Sequence, residues 1–310
     1  MKYPFNKSVI FRTESSTTRL NKVKNLFTPI SRTQFLRFAQ DDHSFYRRFC
    51  LAFLLLLCIS SIHAQKDSII TRSTLYGIGH TNLLDTYLSP MEYTGPELRI
   101  LRENMRMTKH MDGKVSRQSL FQANVSLTEN KAGTGSEFSV LANWNLAYHY
   151  QFPISQNLTL MAGPNLDLNG GMIYNLRNSN NPVNAKAYIN LGASGMAIYR
   201  FRIKQHPFVL RYQMNLPLIG LMFSPEYGQP YYEMSLSHDW GKNICFTSLH
   251  NNPSLRQFLT LDFPIKKTNL RLGYVCDIQQ AKVNHLKSHM WSNAFMIGFV
   301  KHFYLVNPYK

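Results

Sequence analysis

The stretch SEFSVLANWNLAYHYQF, from Ser136 to Phe152, decides the fold of this chain. Every second residue from Phe138 onwards is apolar or aromatic, and the residues between them are mostly amides, hydroxyls and imidazole. Because side chains alternate sides only in an extended strand, this period of two predicts a β-strand rather than a helix. Strands of soluble domains usually have about 5–6 residues, whereas a strand that crosses a bilayer needs about 9–11. The apolar face runs for fifteen residues, and this length predicts a transmembrane β-strand.

The same alternation recurs along the chain after Gln65 and predicts twelve strands, an even number as in bacterial single-chain barrels. The predicted fold class is all-β: a single antiparallel transmembrane β-barrel of about 12 strands over residues 65–310. One strand is irregular, because the alternation slips around Leu101–Glu103, and either a β-bulge or a misplaced strand would explain this. The predicted strands cover residues 69–81, 96–108, 115–128, 136–152, 158–173, 185–201, 207–222, 231–239, 243–250, 254–263, 268–280 and 290–304.

An export segment precedes the predicted barrel. A basic pair, Arg47-Arg48, is followed by a fourteen-residue apolar run and then by a small residue, Ala64, a pattern typical of a secretory signal peptide. Residues 47–64 are therefore predicted to be the signal peptide, with cleavage between Ala64 and Gln65 and export towards the bacterial outer membrane. Residues 1–46 have no clear periodicity. They are interpreted either as a disordered, over-long leader or as the result of a start codon assigned too far upstream.

Charge indicates the partners. The whole chain has a formal net charge of +17, and residues 65–310 carry 24 Lys and Arg against 14 Asp and Glu. A basic surface suits nucleic acid or anionic lipid, and the export signal argues against nucleic acid. The predicted partners are outer-membrane lipid and lipopolysaccharide, whose phosphates are anionic, although a merely solvated basic exterior is at least as good an interpretation. The aromatic last strand, Asn293–Phe303, also matches in part the signal that barrel assembly machinery reads.

A resemblance supports the same fold. The segment Phe246–Tyr274, followed by residues 283–289 (VNHLKSH), resembles an uncharacterised family of Gram-negative envelope proteins. This is a domain-of-unknown-function family with outer-membrane β-barrel character. The resemblance implies a location and a fold, and it brings no known activity or assigned site.

The polar faces of the strands predict the lining of the lumen. Amides and charges of this kind either line a narrow channel for a small polar solute or form a closed, hydrogen-bonded plug. The plug is the favoured interpretation, because buried polar groups must satisfy one another in any narrow barrel. The predicted lining residues are Asn143, Asn145, His149, Asn165, Asp167, Asn169, Arg211, Gln213, Asn215, Glu233, Asp239, Arg271 and Asp277.

Catalytic patterns are weak. Ser248 and His250 share a strand face, which makes them the one named nucleophile and base of a possible outer-membrane hydrolase. The triple at residues 237–239 (SHD) fails as a triad, because in a strand its serine and histidine would point to opposite faces. His285 and His289 are four residues apart but lack the glutamate of a zinc protease motif, so they are interpreted as ordinary rim histidines.

We predict no cofactor, no metal site and no catalytic residue. Cys245 and Cys276 fall on non-adjacent predicted strands, so two unpaired, buried thiols are expected.

The function that the sequence favours is that of a non-enzymatic outer-membrane barrel, either a narrow, porin-like pore or a structural or envelope-binding protein. One alternative is an outer-membrane hydrolase acting on lipid or peptide. The other is an exported, soluble all-β binding protein. This last alternative is disfavoured, because the outward apolar face would then be a water-exposed patch far larger than soluble proteins carry.

Overall fold

The computed structural model describes residues 69–237, 240–265 and 268–304. The predicted extension, signal peptide and cleavage site at Ala64–Gln65 lie outside the described residues, and so does Asp239. In the described part, eleven strands and one α-helix are found. The strands are β1 (Ile69–Asp85), β2 (Ser89–Met107), β3 (Val115–Asn130), β4 (Ser136–Pro153), β5 (Leu158–Asn175), β6 (Val183–Ile203), β7 (His206–Phe223), β8 (Ile244–Ser248), β9 (Leu255–Ile265), β10 (Thr268–Val283) and β11 (Leu286–Tyr304).

Ten of these strands close into an antiparallel β-barrel. Consecutive strands pair from β1 to β7, β7 then pairs with β9, and β11 returns to pair with β1. The all-β, antiparallel barrel predicted from the sequence is therefore confirmed, but the number of strands is not twelve. The chain enters β1 and leaves β11 at the same end of the barrel, which we call the terminal end; the opposite end is the far end.

The predicted strand at residues 231–239 is wrong. Tyr231–Ser237 form a short α-helix, α1, with Pro230 directly before it and Glu233 in its first turn, and both residue types suit a helix start. Tyr231 packs against buried apolar residues and Met234 is fully buried. These two residues are three apart, which places them on one face of a helix and on opposite faces of a strand.

The remaining strand, β8, lies on the same edge of β7 as β9, so it lengthens the wall instead of adding a strand to the ring. Both strands pair with the same edge of β7: Asn215 faces Arg256 on β9, whereas Ile219 faces Ser248 on β8. Four residues of β7 are thus matched by eight residues of the following chain, and the segment between the two strands leaves the ladder. Its backbone contacts β10 instead, where the Lys282 amide donates to the Asn251 carbonyl at 2.7 Å.

The irregular strand at 96–108 is neither bulged nor misplaced. Its ladders with β1 and with β3 run in unbroken register past Leu101–Glu103. The apparent slip arises because Leu101 faces the lumen and is buried, while Arg102 faces outwards. An apolar residue inside and a charge outside reverse the usual pattern at that point.

The two faces of the wall differ in chemistry. Large apolar side chains are exposed on the outside of the strands, among them Tyr76, Leu98, Phe121, Leu191 and Phe295. Residues at the alternate positions are buried inside, and most of them are polar or charged. Among the described residues, no helix is long and apolar enough to cross a membrane.

Candidate functional site

Most of the residues predicted to line the lumen are found inside the barrel. Asn169 is half-buried, Glu233 is exposed on α1 rather than facing the lumen from a strand, and Asp239 lies outside the described residues. The buried ones are Asn143, Asn145, His149, Asn165, Asp167, Arg211, Gln213, Asn215, Arg271 and Asp277.

One group of charged side chains crosses the lumen towards the terminal end. We call it the lower cluster, and it consists of Glu103, Arg211, Asp262 and Arg271. Arg211 donates from both terminal nitrogens to the two Glu103 oxygens, at 2.7 and 2.9 Å. Arg271 donates to Glu103 at 2.6 Å and to both Asp262 oxygens, at 2.5 and 2.6 Å. Two carboxylates thus balance two guanidiniums. Because β2 and β7 lie on opposite sides of a ten-stranded ring, the Glu103–Arg211 pair spans the lumen.

An apolar layer follows the lower cluster along the barrel axis. On β2, Leu101 lies between Arg99 and Glu103, so the layer separates two charged levels. Gln118 and Gln213 bond to each other across the lumen, at 2.7 and 2.8 Å, and Gln118 also donates to Glu103 of the lower cluster at 2.5 Å. The layer comes from six neighbouring strands and is at most 3% exposed; its members are Leu75, Leu101, Leu120, Phe258, Val275 and Met296.

A second charged group, the upper cluster, lies beyond the apolar layer and consists of Glu97, Arg99, Asp167, Arg256 and Asp277. Arg99 donates to Glu97 at 2.6 Å, and its Nη1 lies 3.5 Å from Asp277. Arg256 lies 3.2 Å from both Asp277 and Asp167, and it also donates to Asn143 at 2.7 Å. Three carboxylates therefore share two guanidiniums.

Five of these charged residues were not among the predicted lining residues: Glu97, Arg99, Glu103, Arg256 and Asp262. The signal was present, since Glu97, Arg99 and Glu103 occupy alternate positions of one strand. It was obscured because Leu101 interrupts the polar face and Arg102 the apolar one.

A cavity lies in the far half of the barrel, and part of the upper cluster forms its floor. Its volume, taken as the space that the centres of water-sized molecules can occupy, is about 80 Å³. Asp167, Arg256 and Asp277 contribute to its lining, and Lys186 reaches it from β6 and pairs with Asp85 at 2.9 Å. Much of the remaining wall is apolar, with Leu83, Leu141, Ile173, Met222, Val283, Leu286 and Met290 among its members.

Two side-chain oxygens of the cavity lining have no hydrogen-bond partner. They are Asn165 Oδ1 and Asp277 Oδ1, and both atoms are buried. A buried polar atom without a partner costs free energy, so native structures seldom retain one that nothing satisfies. Both atoms accept hydrogen bonds, so a group that satisfied them would have to be a donor.

Aromatic side chains close over the far end. Tyr231 of α1 donates to Asn184 Oδ1 at 2.9 Å and accepts from the Ala185 amide at 2.7 Å. Tyr87 meets Tyr231 edge to face, with ring centroids 6.0 Å apart, and donates to the Gln229 carbonyl. Burial raises the pKa of Tyr231 to about 12, so its hydroxyl stays protonated and able to donate at neutral pH.

The other sequence candidates lie away from the cavity floor. Ser248 Oγ and His250 Nδ1 are in hydrogen-bond contact at 2.5 Å, on the outer surface at the far end. Within residues 69–237, 240–265 and 268–304, no carboxylate bonds to His250. The rest of the 237–239 triple lies outside the described residues, and Ser237 ends a helix rather than lying in a strand.

The histidines and cysteines have ordinary surroundings. His285 is in the β10–β11 turn, whereas His289 is buried and bonds to Asn82 Oδ1 at 2.8 Å. In the described ranges, no three His, Cys, Asp or Glu side chains are grouped so that they could hold a metal ion. Cys245 and Cys276 are free, as predicted, but they are half-buried rather than buried.

Comparison with known proteins gives a family and a fold. A sequence model of the family described as "Protein of unknown function (DUF3316)" matches residues 49–310. No curated protein sequence matches the chain.

Solved structures with a similar fold include three from bacterial outer membranes. The outer membrane protease OmpT from Escherichia coli is 7% identical, with 78% of this chain and 99% of that chain covered and a TM-score of 0.39. The transport unit of the autotransporter AIDA-I from Escherichia coli is 8% identical, with 77% and 92% covered and a TM-score of 0.38. An outer membrane channel from Pseudomonas putida F1 is 9% identical, with 78% and 97% covered and a TM-score of 0.33. These likenesses concern the fold and do not extend to binding or activity.

Proposed function

This chain belongs to the DUF3316 family, whose function is unknown. For this member we propose an outer-membrane β-barrel that captures a small solute in its far half and does not conduct solutes. The observation that carries the proposal is the pairing of Glu103 with Arg211 across the whole width of the lumen. A solute passing from end to end would have to break this pair and then displace the apolar layer. Separating such a buried ion pair costs about 3–5 kcal/mol even before the layer is moved.

The outside of the wall supports the proposed location. Exposed leucine, isoleucine, tyrosine and phenylalanine side chains surround a closed ring whose backbone groups are paired in the ladders. This is the arrangement that a bilayer requires of a strand protein, because unpaired backbone groups and outward charges are costly in lipid. The surrounding lipid, including lipopolysaccharide, and the assembly machinery that reads the last strand remain the proposed partners.

Planar-bilayer recording tests the closed lumen. We expect the purified full-length protein to give no conductance steps, because ion pairs and apolar side chains fill two successive levels of the lumen. Insertion is checked in the same preparation by flotation of protein-loaded vesicles, so that silence is not mistaken for failure to insert. Reproducible steps from protein that floats with the vesicles would contradict the proposal and support the narrow pore.

A hydrolase acting on lipid or peptide is the second candidate, and the contact between Ser248 and His250 favours it. A serine nucleophile needs a base within this distance. The test compares the hydrolysis of short-chain esters and peptides by wild type, Ser248→Ala and His250→Ala. Activity that both substitutions abolish would establish this function, and activity that neither changes would remove its named residues.

A further inference from the structure

We propose that the cavity of the far half binds a small organic cation, with an ammonium or guanidinium group on a short apolar body. This rests on the proposed capture function and specifies its ligand. Three properties of the cavity lead to it: the balance of charge in the lining, the chemistry of the atoms left without partners, and the nature of the walls.

The charge balance is negative. The lining contains three carboxylates, Asp85, Asp167 and Asp277, and two basic side chains, Lys186 and Arg256. Lys186 is already bound to Asp85, and beneath the cavity Arg256 and Arg99 are shared among Asp167, Asp277 and Glu97, so one negative charge is left over. A buried carboxylate without a full counter-charge is destabilising, and a bound cation would offset that cost.

The unpartnered atoms require a donor. Asp277 is 1% exposed and Asn165 is 4% exposed, and each has one oxygen without a hydrogen-bond partner. Asp277 Oδ2 already accepts from Arg256, Arg99, Gln122 and Gln279, so the missing partner concerns Oδ1 alone. An ammonium group has three donors and no acceptor, and a guanidinium has five donors, so both match this site. A carboxylate or phosphate would offer further acceptors and a repelled charge.

The apolar walls and the volume of the cavity indicate the chemistry and size of the rest of the ligand. Apolar side chains surround the polar floor, so the rest of the ligand, beyond its charged group, is expected to be hydrocarbon. The space holds more than one water-sized molecule, so it has room for a small organic ligand. A bare inorganic cation would use the floor and leave the apolar walls without a role.

Calorimetric titration of the purified full-length protein with three matched probes tests the inference. The probes are pentylammonium, pentanol and pentanoate, which share a chain and differ in charge and donors. We expect pentylammonium to bind about tenfold or more tightly than the other two, since hydrogen bonds to a charged group are the strong ones. Equal binding of pentanol, preferred binding of pentanoate, or no binding of pentylammonium would each overturn the organic cation. Binding of sodium or calcium alone with the same affinity would overturn it as well.

A pair of variants locates the effect. Asp277→Asn keeps the size of the side chain and removes one charge from the floor, so the preference for pentylammonium should fall about tenfold. Asp112→Asn removes a carboxylate from the exposed β2–β3 turn and should leave the preference unchanged. A preference that survives Asp277→Asn, or that Asp112→Asn reduces equally, would overturn the assignment. If Asp277→Asn fails to fold, Asn165→Ala removes the second unpartnered oxygen without changing the charge and should also weaken the binding of pentylammonium.

Conductance separates this inference from the proposed function. Silent bilayers together with equal binding of the three probes would leave the capture function standing and reject its ligand. Conductance steps would reject the closed barrel whatever the probes do.

Discussion

Glu103 accepts hydrogen bonds from four side chains on four other strands: Ser73, Gln118, Arg211 and Arg271. We predict that Glu103→Gln lowers the free energy of unfolding by about 3–5 kcal/mol, because it leaves two buried guanidiniums with one carboxylate between them. Urea titration of the protein refolded in lipid vesicles measures the effect. The matched change Glu129→Gln removes an exposed carboxylate from β3 and should shift the free energy by less than about 0.5 kcal/mol. Equal effects of the two substitutions would show that the lower cluster contributes nothing particular.

The same residue shows where prediction from sequence stops at this scale. Arg211 and Arg271 could be placed inside because their strands alternate cleanly. Glu103 could not, because its neighbour Leu101 faces the lumen as part of the apolar layer. Its partner Arg211 is 108 residues away, and no local pattern relates two positions so far apart.

At the scale of elements, the period of two was sufficient wherever a strand has one wet and one apolar face. It was misleading at Tyr231–Ser237, where a seven-residue segment alternates and is nevertheless a helix. Residues 281–289, between the predicted strands 268–280 and 290–304, were predicted to be a loop, yet β10 and β11 run on to a turn at Asn284 and His285, whose φ angles are 48° and 61°. Positive φ at both central positions is the geometry of a tight hairpin. The sequence lacks the glycine that usually indicates such a turn.

The β8–β9 interruption could not be predicted either. Both segments read as strands, and they are strands. Only the pairing shows that they share one edge of β7, because register is a relation between segments and a hydrophobic pattern specifies only the face of each one. This shared edge removes one strand from the ring and helix α1 removes another, so the ring has two strands fewer than the pattern indicates. Its lumen is correspondingly narrower, which is why charged pairs can reach from wall to wall.

For the whole molecule, the central proposal is that the exterior faces lipid, and the reactivity of Cys276 tests it. This thiol lies near the middle of β10 on the outward face, opposite in direction to the buried neighbours Val275 and Asp277. In lipid vesicles we predict that Cys276 reacts about tenfold more slowly with a charged thiosulfonate than a cysteine placed in a loop, because an ionic reagent is excluded from hydrocarbon. The comparison uses Cys50→Ser/Cys58→Ser/Cys245→Ser as background, so that Cys276 is the single thiol, and adding Asn180→Cys/Cys276→Ser supplies the exposed loop thiol. The two rates should converge in urea without lipid. If Cys276 reacts as fast as the loop thiol while the barrel is folded in vesicles, the apolar exterior faces water, and the exported soluble binding protein becomes the better description.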